Sequence, residues 1–222
     1  MHFEGAEVID KDLKNLEFYY EKGLRSLGIV WSRPNKFGTG VPFEFPQSPD
    51  IGPGLTKDGK KLVKKCNQMG IVLDLAHLNE KGFWDVAKLS DYPLVVSHTA
   101  VHSLCKSTRN LKDNQIDTIG DTNGIIGIMF GPSNIRKDGL PNKNTPLSTL
   151  IEHIDYIVQR IGIDHVGLGS DFDGTLMPRH LKDVSQLPKL MENLKDHGYT
   201  KNSLNKIGYQ NWLRVIKHTW EV

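Results

Sequence analysis

Three apolar segments of this chain end in side chains that can bind a metal or move a proton. IVLDLAH ends in His77, LVVSH ends in His98, and HVGLGSDFDG ends in Asp171 and Asp173. Imidazole nitrogen and carboxylate oxygen are ligands that zinc accepts while keeping a position open for water, so the set suggests a hydrolytic metal site. A single histidine closing a buried strand is commonly a hydrogen-bonded core residue. Two on neighbouring strands, followed by an aspartate, point instead to a shared site. Asp74 lies three residues before His77, an odd offset that points it away on a strand, and is read as capping or supporting a histidine rather than ligating. Arg109, in the STRN segment after His98, has the fork geometry to clamp a carboxylate. His102, His153, His165, His180, His197 and His218 stand without such company and are read as structural or solvated. The chain contains no G-x-S-x-G elbow, reactive Cys/His signature or phosphate-binding loop.

Short β-rich apolar runs at 23–31, 70–77, 93–99, 124–130 and 165–171 alternate with amphipathic stretches, the pattern of βα units around a parallel sheet. Runs such as IVLDL, LVVS and IIGIMF are apolar on both faces, as expected where helices cover the sheet. Helices are predicted at 55–69 with Thr56 as cap, 81–89, 111–122, 145–161 and 185–220, the last broken near Gly198 and Gly208. Segment 32–54 carries five of the eleven prolines and no helical period, so it is predicted as a long ordered loop. In an α/β barrel the C-terminal ends of all strands converge on one face, which brings His77, His98 and Asp171 together.

The 222 residues are 38% hydrophobic and 24% charged, ordinary for one domain spanning 1–222. A formal charge of +2 leaves no electrostatic footprint for nucleic acid. There is no apolar run of membrane-spanning length and no signal-peptide pattern at the start, so the chain reads as cytoplasmic with no membrane partner. Cys66 and Cys105 form no CxxC pair and are expected to be reduced, buried thiols.

At these residues the sequence resembles the membrane dipeptidase (renal dipeptidase) family of zinc peptidases. The blocks LVKKCNQMGIVLDLAHLNEKGFWDV, VVSHTAVHSLCKSTRN, HIDYIVQRIGIDHVGLGSDFDG and NWLRVIK follow the family's pattern in order, over essentially the whole chain. The resemblance implies a (β/α)8-type barrel and zinc-dependent hydrolysis of dipeptides, some with a D-residue at the second position. It implies that His77 and His98 are zinc ligands, that Arg109 binds the substrate carboxylate, and that Asp171 lies near the substrate amine and the catalytic water. The opening HFEGAE resembles the segment carrying the family's metal-bridging glutamate, which makes Glu4 a ligand; by its residue type alone Glu4 reads as solvated.

Two departures accompany the match. The family's first zinc also takes a His-x-Asp pair upstream of the glutamate, which these residues do not contain, so one of two zinc sites is expected to be incomplete. The strand count agrees: five runs and a stub at 2–5 make an incomplete TIM-like barrel lacking roughly the first two to three strands. In LGIVWSRPN, Trp31 stands where mammalian members carry a substrate-contacting histidine, marking a different substrate preference. The expected function is a zinc dipeptidase; the alternative is a truncated, impaired or vestigial homologue that binds one metal or none. The open sheet edges are expected to be covered by a complementing N-terminal fragment or by homo-oligomerisation.

Overall fold

The computed structural model describes residues 1–220. It is an α/β fold whose sheet has six parallel strands in sequential order: β1 (His2–Glu4), β2 (Ser26–Gly28), β3 (Val72–Asp74), β4 (Val95–Thr99), β5 (Ile125–Ile128) and β6 (Val166–Leu168). This is a partial (β/α)8-type barrel. The stub at the start is a paired strand, with His2 in register with Ser26, which in turn aligns with Val72. The strands are shorter than the apolar runs that announced them. The runs continue into irregular backbone at the C-terminal ends, where the polar residues sit.

Among the described residues all nine α-helices fall in the crossovers and the C-terminal region, the last eight being α2 (Lys57–Gln68), α3 (Glu80–Leu89), α4 (Asp113–Asp121), α5 (Pro132–Ile135), α6 (Leu147–Ile161), α7 (Leu187–Asp196), α8 (Lys201–Asn205) and α9 (Asn211–Trp220). The first, α1 (Leu16–Glu21), is a short turn that its six residues LEFYYE did not announce. Thr56 caps α2 by accepting from the Gly59 amide, as its position predicts, and Asn79 caps α3 in the same way through Gly82. The chain breaks at Gly198, whose φ of 107° suits only glycine. At Gly208 it does not break. A π-helical turn, Lys206–Gln210, carries the helix straight into α9, because Gly208 needs no left-handed conformation there.

Alternate strand residues face two cores. Leu73, Val96 and Ile126 join the large cluster shared with Leu62, Phe83, Ile116 and Ile154 of the covering helices. Their neighbours Val72, Val95 and Ile125 pack on the other face against Val215 of α9, with Trp212 beside them. The Arg214 guanidinium donates to the carbonyls of Asn123, Gly124 and Asp164, which precede β5 and β6. Helix α9 therefore closes the N-terminal end of the sheet and leaves the C-terminal end open. Segment 32–54 is the long irregular loop its composition predicts. Phe37 anchors it in the core, and an isolated antiparallel bridge joins Gly40 to Leu78. Cys66 and Cys105 are free and buried. Among the described residues no helix is long and apolar enough to cross a membrane.

Candidate metal centre

Glu4 ends β1, His77 follows β3, and His98 lies in β4, so three side chains far apart in sequence meet at the open end of the sheet. Glu4 Oε1 is 3.0 Å from His77 Nε2 and 3.3 Å from His98 Nε2, and the two Nε2 atoms are 2.9 Å apart. Bonds of about 2.1 Å to a tetrahedral ion place ligand atoms about 3.4 Å apart, so these donors are spaced close to what one zinc requires. Among the described residues this is the one group of three or more His, Cys, Asp or Glu able to hold a metal. Both histidines are buried while the Glu4 side chain is 46% exposed, leaving an approach from solvent on the glutamate side.

Each imidazole is oriented from behind by a hydroxyl. Ser32 Oγ is 2.7 Å from His77 Nδ1, and Ser97 Oγ is 2.7 Å from His98 Nδ1. Both Nε2 atoms are thereby turned toward Glu4. His77 has φ 67°, a left-handed conformation that costs a non-glycine residue on the order of 1 kcal/mol, and its carbonyl accepts from the Val41 amide. Burial, with Arg109 nearby, pushes the His77 pKa down to about 4, so the ring is neutral and able to ligate at neutral pH. The His77 ring, and after it the His98 ring, pack against the Glu4 carboxyl and hold it far below the usual carboxylate range.

The cluster forms one wall of a cavity of about 340 Å³, which is also lined by Trp31, Phe43, Arg109, Asn134 and Asp171. Arg109 is 4% exposed; its Nη2 donates to the His98 carbonyl at 3.2 Å, and its Nε has no partner among the described residues. Burial lowers the guanidinium pKa to about 10, opposed by the nearby carboxylates of Asp171, Asp74 and Glu4, so it stays charged at neutral pH. Asp171, three residues past β6, also has a left-handed φ of 59°. Burial raises its pKa, and His98 and Arg109 oppose that rise. On the apolar side, Trp31 and Phe43 meet edge to face at 5.6 Å, and the Trp31 ring centroid lies 5.9 Å from that of His77.

The cavity is lined by Glu4, Trp31, His77, Arg109 and Asp171 of the residues singled out in the sequence, and His98 adjoins it through its 2.9 Å contact with His77. The lining residues Phe43 and Asn134 come from the loop 31–45 and the segment 130–140, where barrel geometry puts the substrate pocket, whereas the two orienting serines were missed. Strand parity alone would set Ser97 opposite His98. Asp74 does not enter the cluster. His153 is buried elsewhere, between the Val101 amide and the Ile135 carbonyl.

A profile of the membrane dipeptidase family, peptidase family M19, matches residues 1–222. The chain belongs to that family. It is 45% identical over 220 residues to a Klebsiella pneumoniae protein described only by its position in the pqqA 5′ region, covering 99% of this chain and 81% of that one. A metallopeptidase of Rhodobacter sphaeroides, solved with a phosphinate mimic of the dipeptide L-Ala-D-Ala, superposes with a TM-score of 0.98 at 48% identity. That match covers 99% of this chain and 63% of the other. The structure of a metallopeptidase called dipeptidase AC also gives a TM-score of 0.98, at 47% identity over 100% of this chain and 64% of its own. This chain therefore spans less than two thirds of those two solved proteins. Family membership implies a metal, and the two imidazoles and one carboxylate gathered here are a donor set that fits one.

Proposed function

We propose that this chain, folded as one domain over 1–222, is a zinc-dependent dipeptidase that binds its metal through Glu4, His77 and His98. Zinc bound there supplies a Lewis acid for the scissile carbonyl and an acidified water at neutral pH. The chain's own residues then select and orient the substrate. Arg109 receives the C-terminal carboxylate of the dipeptide. A carboxylate so fixed leaves room for a short substrate only, which separates a dipeptidase from an endopeptidase. Asp171, facing the same cavity, holds the free amine and exchanges a proton near the scissile bond. Trp31 and Phe43 form an apolar wall for a substrate side chain.

The observation that carries this reading is Arg109. A buried charge with an unpartnered Nε, opening on a cavity that also holds a metal-ligand cluster, is the arrangement expected for an anionic group delivered by substrate. The relative solved with a phosphinate mimic of L-Ala-D-Ala supports short peptides with a D-residue as the class to test first. The experiment is hydrolysis of a panel of L-L and L-D dipeptides by the zinc-loaded chain, beside the same peptides amidated at the C-terminus. Turnover of the free acids and not of the amides is expected. Equal turnover of both would overturn the role of Arg109.

A second reading is favoured by the count of donors. Three ligands hold one ion, and a homologue that binds one zinc without turnover would show stoichiometric metal and no hydrolysis in the same assay. Restoring turnover with an added segment carrying a His-x-Asp pair would then identify a partner fragment as the missing component.

A further inference from the structure

We propose that Asp74 is a positioning residue for the metal centre: acting through Ser97, it fixes His98 as the tautomer whose Nε2 lone pair faces the ion. This rests on the assignment of Glu4, His77 and His98 as ligands. Asp74 closes β3 and is 2% exposed. Its Oδ1 accepts from the Ala76 amide at 3.0 Å and from the Ser97 amide at 2.8 Å, while Oδ2 accepts the Ser97 hydroxyl at 2.5 Å. A serine has one proton to give. With that proton on the Asp74 side, Ser97 Oγ meets His98 Nδ1 at 2.7 Å as an acceptor, and Nδ1 must carry the hydrogen. A neutral imidazole has only one N–H, so His98 Nε2 is left with a lone pair, directed at Glu4 Oε1 and His77 Nε2.

The same contacts dictate what Asp74→Asn does. Two backbone amides require an acceptor at the Oδ1 position, so the asparagine oxygen must lie there. Its NH2 group then takes the Oδ2 position and donates to Ser97 Oγ. The serine proton is released toward His98 Nδ1, and the imidazole hydrogen moves to Nε2, where it blocks the metal. A nearly isosteric change two residues removed through hydrogen bonds thus inverts the ligand. The orientation of His77 has a hydroxyl but no carboxylate behind it among the described residues, so this control is particular to His98.

The test uses the metal-free full chain, with imidazole 15N–1H correlation spectra and zinc affinity measured by competition with a chelator. The His98 signals are identified by their loss in His98→Ala. We expect His98 protonated at Nδ1 in the parent and at Nε2 in Asp74→Asn, with zinc bound about 10- to 100-fold more weakly by the variant. Ser97→Ala should weaken zinc in the same range, and Ser97→Thr, which keeps the hydroxyl, should restore both tautomer and affinity. Nε2 protonation in the parent, or an Asp74→Asn variant with unchanged tautomer and affinity, would overturn the proposal. Unchanged zinc affinity in His98→Ala would instead contradict the ligand assignment, and the tautomer comparison would still decide the relay.

Discussion

Arg109 combines near-complete burial with an unpartnered nitrogen, and that combination separates its contribution to stability from its contribution to binding. Replacing a buried, incompletely paired charge by an apolar side chain of similar length is commonly neutral or stabilising. Arg109→Met should therefore leave the melting temperature unchanged or raise it, while dipeptide affinity falls about 30- to 100-fold, the loss expected for a charge-assisted pair. A variant that melts lower with unaltered affinity would make Arg109 a structural residue. The sequence made the two histidines and Asp171 legible, because each interrupts or follows an apolar run. Glu4 was legible only through family resemblance: nothing in HFEGAE says that β1 will pair beside β2 and carry residue 4 to within 3.0 Å of a histidine 73 positions later. Ser97 was hidden by strand parity.

That parity fails at an irregularity in β4, between Val96 and Thr99, where the register with β5 shifts. The Ser97 carbonyl there projects toward Gly127 of β5 and Gly169, just past the end of β6. A Cβ built on Gly127 would lie 1.9 Å from that oxygen and one on Gly169 would lie 2.1 Å from it. Both positions accept only glycine, because the displaced backbone presents the hydroxyl and imidazole of Ser97 and His98 to the site. Gly127→Ala should destabilise the fold by about 3 kcal/mol and also weaken zinc binding, checked by denaturant melts beside metal titration. A stable, fully metal-binding variant would contradict this account of β4. A second element has a pH signature. His153 of α6 accepts from the Val101 amide at Nδ1 and donates from Nε2 to Ile135, and burial lowers its pKa from 6.5 to about 4. The unfolded chain then binds the proton first as pH falls, so stability is full above about pH 7 and is lost as pH drops toward 4. Between pH 7 and pH 5 this one group should cost about 2 kcal/mol. His153→Gln, which keeps an acceptor and a donor, should lose that much of the pH slope; an unchanged slope would contradict the assignment. Element positions were readable from periodicity, since each predicted run contains a strand. Their ends were not, because the backbone leaves the ladder where site residues begin while the side chains stay apolar.

Across the molecule, the sheet order leaves β1 paired only with β2 and β6 only with β5. Among the described residues no pairing joins β6 to β1; the β6 carbonyls of Val166 and Leu168 accept from the Asn211 and Trp212 side chains, whereas β1 is paired along one edge only. Exposed apolar side chains lie nearby, including Met1 at the start of β1 and Trp220 at the end of α9. The chain should accordingly self-associate at micromolar concentrations in sedimentation, and a sharp monomer boundary with a cooperative melt would contradict that expectation. The sequence anticipated this open arc by its count of strands, and it could not say what covers the edges, because backbone groups carry no side-chain pattern. The central claim is that Glu4, His77 and His98 together hold one zinc ion. It is tested most directly by zinc stoichiometry and affinity in the parent chain beside Glu4→Gln, His77→Ala and His98→Ala. The account predicts one zinc per chain and at least about 100-fold weaker binding in each variant. Affinity left unchanged by all three substitutions would contradict it.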